Sequence, residues 1–160
     1  MAPDKTFDDC VGAFADALGV VLHERSDGDP VVLAIDGTEV TIRRDAEGGS
    51  VVIAAEVGGM PPDARGAFAA VALQSNYLAM GGTALSLDAE SGELFATASL
   101  PLALADPESL SRAVEALVDT AVEWRRLATA FLDVDEESAL AKADGEDADP
   151  VTGPSGFIRV

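Results

Sequence analysis

The sequence predicts an α+β domain in the order helix, three-stranded antiparallel meander, helix, β-hairpin and long C-terminal helix. Three observations carry this expectation. Apolar residues recur at helical spacing from Phe7 and again from Leu110, short alternating runs flank Asp36-Gly37 and "ESG", and the changes of period fall on Gly or Pro. The 160 residues suffice for one hydrophobic core. They divide into a folded unit over 1–132 and an acidic C-terminal tail over 133–160, expected to be disordered.

The first helix starts at Thr6, where "TFDD" offers an N-cap hydroxyl with Asp9 three positions on, a short-armed capping box. Phe7, Val11, Phe14, Leu18 and Val21 form its apolar stripe, and "RSDGDP" is expected to end it. "VVLAIDGTEVTIRR" reads as two strands around Asp36-Gly37, a dipeptide suited to the positive backbone angles of a tight hairpin turn. "DAEGG" then turns the chain into a third β-rich run from Ser50 to Val57, completing the meander.

The second helix is expected between Pro61-Pro62 and Gly81-Gly82. Phe68, Val71, Ala72 and Leu78 lie towards one side of it, and Ala69, Leu73, Tyr77 and Met80 towards a neighbouring one. So broad an apolar surface needs cover on more than one face. Two readings stay open: a central core helix, or a helix that buries its second face against another copy of the chain.

"TALSLDA" and "ELFATASLPL" form a second hairpin across "ESG", with Leu94, Ala96, Ala98 and Leu100 on one side. Pro101 limits the strand. Asp106 as N-cap, Pro107 in the first helical position and Glu108 behind it announce the long helix. Leu110, Val114, Leu117, Ala121, Trp124, Ala128 and Phe131 follow on one face. From Asp133 to Pro150 there are eight acidic residues against one lysine, too little apolar surface to offset the entropy of ordering. The terminal "GFIRV" either clips onto the domain or stays loose.

The formal charge of −19 disfavours nucleic acid and anionic lipid as partners. It serves solubility, or attracts a basic partner. The acidic start "MAPDKTFDDC" is not expected to act as an export signal, no apolar run approaches a membrane span, and Cys10 is the only cysteine. The expectation is a soluble cytoplasmic protein without membrane insertion.

Chemistry finds few candidates. His23, the only histidine, reads as a solvated or helix-capping residue rather than a general base. Cys10 reads as a small packing residue, since the nearby Asp8 and Asp9 disfavour a thiolate. One histidine and one cysteine cannot supply a usual zinc set. "DVDEESALAKAD" lacks the turn glycine and closing glutamate of a calcium loop. "EGGS", "VGGM" and "MGGT" lack the lysine of a phosphate loop. The expectation is no enzyme and no cofactor.

The stretch "LQSNYLAMGGTALSLDAESGELFATASLPLALADPESLSRAVEALVDTAVEWRRL" carries a resemblance. It joins a helix end holding Asn76, a glycine turn, the "LSLDAESGELF" hairpin, a "LPL" strand end and a helix finishing in "AVEWRRL". With the element order over 6–132, it resembles the class I chaperones of bacterial type III secretion, the Tir chaperone or CesT/SycE family. The long acidic tail and the alanine-rich composition depart from that family's pattern.

The resemblance implies a homodimer that binds the N-terminal segment of a secreted effector and keeps it export-competent without nucleotide hydrolysis. In physical terms that is strand addition at a sheet edge combined with an apolar groove. On this chain it puts Phe68, Leu73, Tyr77 and Met80 at the dimer interface, and Phe14, Leu18, Val32, Val52 and Ala54 along the effector groove. Each of these nine side chains could instead be core.

A competing reading is a small acidic regulatory or immunity-type module that occludes a folded partner, with strong salt dependence. An enzyme built on paired carboxylates is a third, and would need a buried carboxylate of raised pKa.

Overall fold

The structure, a computed structural model, describes residues 6–23, 26–60, 64–78 and 82–145, with 132–145 as backbone only. Helix α1 (Phe7–Leu18) is followed by strands β1 (Val31–Ile35), β2 (Thr38–Arg44) and β3 (Ser50–Gly59). Helix α2 (Arg65–Leu78), strands β4 (Thr83–Leu87) and β5 (Glu93–Pro101) and helix α3 (Pro107–Gly145) complete the order.

The expected capping box is present. The Asp9 N–H donates to Thr6 Oγ1 at 3.1 Å, and the Thr6 N–H donates to the Asp9 carboxylate at 3.2 Å. The helix ends earlier than "RSDGDP", because Gly19 adopts the left-handed conformation at φ 68° and the N–H groups of Gly19 and Val20 return to the last turn's carbonyls. Val21, expected on the helical stripe, therefore lies beyond the helix. On its inner face α1 buries Phe7, Cys10, Val11, Phe14 and Ala15. The Cys10 thiol donates to the Ala105 carbonyl at 3.3 Å, which ties α1 to the segment before α3.

The meander and the hairpin join in one antiparallel sheet of order β1-β2-β3-β5-β4. Asp36 and Gly37 take φ of 50° and 76°, the paired positive angles that let two residues reverse a twisted ribbon. This turn fixes Ile35 opposite Thr38 and, through β2, Ile42 opposite Ile53. Period-two alternation then puts Val51, Ile53, Ala55 and Val57 on the core face and Val52, Ala54 and Glu56 on the other. The β4–β5 turn is held by Asp88, whose carboxylate accepts from the N–H groups of Glu90 and Ser91 at 2.8 and 3.3 Å.

Helix α3 lies across the core face, burying Leu110, Val114, Leu117, Val118, Ala121 and Trp124. Asp106 caps it, accepting from the Ser109 N–H at 2.7 Å while its own N–H donates to Ser109 Oγ at 2.8 Å. Further along, Arg125 reaches a bulge in β3, where the pairing with β5 shifts between Glu56 and Gly58. Its guanidinium donates to the Glu56 and Val57 carbonyls at 2.8 and 3.0 Å.

The backbone does not change character at Asp133. It stays helical to Gly145, since Glu, Ala, Leu and Lys in "EESALAKA" are good helix formers despite the charge. Residues 146–160, with the terminal "GFIRV", lie outside the described residues.

Candidate binding surfaces

Among the described residues, two apolar surfaces flank the core. The first begins at Gly19. Its left-handed turn ends α1, and the residues that follow form one wall of a groove whose other wall is the edge strand β1. The groove has a volume of about 360 Å³, with Leu18, Val20, Val21 and Leu22 facing Val32 and Leu33. Val21 is 86% exposed and Val32 57% exposed. His23 sits at its rim, exposed to solvent.

Of the residues expected in the groove, Leu18 and Val32 line it. Phe14 is fully buried in the core, since its position on α1 faces the sheet and α3. Val52 and Ala54 are half-buried on the sheet face away from α3. Register puts Ala54 beside Thr41 and Thr41 beside Val32, so this row of small side chains runs from β3 to the groove's edge. Sequence reasoning missed Val20, Val21 and Leu22 as loop residues. The signal was Gly19, whose place after the last turn of a helical stripe is that of a C-cap.

The second surface lies on α2 and β4. The helix buries only Phe68 and Ala72, one turn apart. Leu73 is 68% and Tyr77 88% exposed on one flank, with Val71 and Leu78 exposed on the other. Between α2 and β4 is a hollow of about 210 Å³ lined by Ala69, Leu73, Leu85, Leu87 and Leu94 among others. Of the expected interface residues, Leu73 and Tyr77 thus present side chains to solvent. Phe68 lies in the core beneath the helix, and Met80 lies outside the described residues.

Two polar contacts position this surface. Arg65, at the start of α2, donates to the Met60 and Ser91 carbonyls at 2.9 and 3.2 Å. Its guanidinium crosses Gly92 where any Cβ would collide with it, and Gly92 takes φ 74°. At the other end, the Asn76 side chain hydrogen-bonds to the backbone of Leu85 in both directions.

Among the described residues, no cluster of three or more His, Cys, Asp or Glu side chains is arranged to hold a metal ion. No described helix is long and apolar enough to cross a membrane. Asp9 titrates below its usual range, because the Thr6 side chain and then the Thr6 N–H hydrogen-bond to its carboxylate, and that contact is the helix cap.

The sequence model of the Tir chaperone protein (CesT) family matches residues 10–125. Several solved structures share the fold. A chain of the ExsC–ExsE complex superposes with a TM-score of 0.63 at 21% identity, covering 76% of this chain and 92% of that one. The structure of the Yersinia pestis type III secretion chaperone SycH with a stable fragment of YscM2 gives 0.60 at 20% identity, covering 74% and 98%. The HopA1–SchA chaperone–effector complex gives 0.58 at 22%, covering 71% and 88%. A comparison with curated protein sequences finds no match.

Proposed function

Because the chain belongs to the Tir chaperone protein (CesT) family, we propose that it is a cytoplasmic type III secretion chaperone that holds the N-terminal segment of an effector in extended form and keeps it export-competent. The observation that carries this reading is the groove between the segment after α1 and the edge strand β1. An edge strand offers unpaired N–H and C=O groups to an added strand, and such pairing tolerates many sequences. The apolar walls, Leu18, Val21 and Val32 foremost, select the side chains that enter. Extended cargo pairs with backbone in this way only while it is unfolded, which is the state an export channel requires.

The fold neighbours include a secretion chaperone bound to a fragment of YscM2 and a chaperone–effector complex. Their likeness supports the same use of the scaffold here. The second surface is assigned to a homodimer, with Leu73 and Tyr77 packed against a second copy, because so much exposed apolar area is unusual on a monomer. Both processes are binding, and the reading includes no catalytic step.

Capture of the tagged chain from its own organism at low and high salt, followed by mass spectrometry, tests the reading. A larger protein held through its N-terminal segment, and retained at high salt, is the expected result, since apolar contacts and backbone pairing are little screened. A folded partner released by salt would point instead to the acidic occluding module.

A further inference from the structure

The second edge of the sheet is β4, and its middle is occupied by a side chain. Asn76 Nδ2 donates to the Leu85 carbonyl at 2.9 Å, and the Leu85 N–H donates to Asn76 Oδ1 at 2.7 Å. One residue thus exchanges both a donor and an acceptor with the backbone of another, the pattern by which two residues pair across an antiparallel ladder. In an edge strand alternate residues point their N–H and C=O away from the neighbour, and Leu85 lies midway along β4.

We propose that Asn76 is an edge guard: its amide takes the place of a neighbouring strand at the centre of β4 and confines strand addition on this sheet to β1. A strand approaching β4 would have to displace both hydrogen bonds. Among the described residues, no side chain closes β1 in this manner; it borders the open groove. The consequence for cargo rests on the function proposed above. The consequence for self-association does not, because an opened β4 is self-complementary, and an antiparallel pair of β4 strands related by a two-fold axis needs no other partner. The occupant of an unguarded edge is therefore β4 of a second copy, a two-fold contact separate from the one assigned to Leu73 and Tyr77 on α2, so that the two together link dimers into heavier assemblies.

Asn76→Ala in the full chain tests this by residue-resolved amide exchange and by sedimentation across a concentration series. The Leu85 amide is expected to exchange about tenfold faster or more, with amides of α3 unchanged. Assemblies heavier than those of the unaltered chain are expected to grow with concentration. A folded variant that keeps the Leu85 protection and sedimentation of the unaltered chain overturns the proposal. Faster exchange without heavier assemblies also overturns it, since the amide would then fasten helix to strand without guarding an edge. Should Asn76→Ala unfold the chain, Asn76→Asp keeps an acceptor for the Leu85 N–H and removes the donor to its carbonyl, and the same two readouts decide.

Discussion

The ring of Phe68 meets Trp124 edge-on, with centroids 5.6 Å apart and planes at 88°, and it meets Phe131 at 5.7 Å and 73°. Edge-to-face contact sets the positive rim of one ring against the negative face of another. This aromatic cluster fastens α2 to α3, although α2 buries little else. Phe68→Ala should therefore cost about 3–5 kcal/mol of stability. Urea unfolding followed by the fluorescence of Trp124, the only tryptophan, measures it. A loss below about 1 kcal/mol would mean that α2 is held elsewhere.

Leu73 and Tyr77 are expected to behave differently from Phe68, because solvent already reaches them. Tyr77→Glu should leave folding within about 0.5 kcal/mol of the unaltered chain, as exposed substitutions usually do, and convert dimer to monomer. Leu73→Asp should act in the same direction with a larger effect on folding, since Leu73 also lines the hollow against β4. Light scattering on both variants checks this. A folded dimer unchanged by either substitution would place the interface elsewhere.

Acid should loosen the start of α1. The Thr6 hydroxyl and then its N–H hold the Asp9 carboxylate below its usual range. A carboxylate depressed in the folded state contributes stability that is complete above the ordinary aspartate pKa and is lost as pH falls through the lowered value. Thr6→Val removes the hydroxyl and should return Asp9 towards the ordinary value. An NMR titration of the Asp9 carboxyl in both chains reads this directly. An unmoved titration after Thr6→Val would show that the cap does not control the charge.

Much of this arrangement was legible in the residues. Asp36-Gly37 set the first hairpin and its register, Thr6 and Asp106 marked two helix starts, and the alternation from Leu94 to Leu100 gave β5 its inner face. The joining of meander and hairpin was not legible, because the β3–β5 pairing spans α2 and β4 and leaves no local signal. The groove was legible in part. Helical spacing groups Phe14 with Leu18, but Phe14 is buried in the core while Leu18, in the last turn, is exposed at the groove. Periodicity identifies a stripe, and only the length of the contact separates core from rim. Phe68 shows the same confusion: its spacing marks an apolar face without showing whether that face meets the same chain or another.

The central claim is that extended cargo adds to the sheet at β1. Hydrogen exchange across the sheet, with and without the protein captured from the organism, tests it most directly. Slower exchange in Val31–Ile35 and in the segment Val20–His23, with β4 unchanged, is the expected result. Protection that leaves β1 untouched and falls instead on α2 and β4 would contradict it.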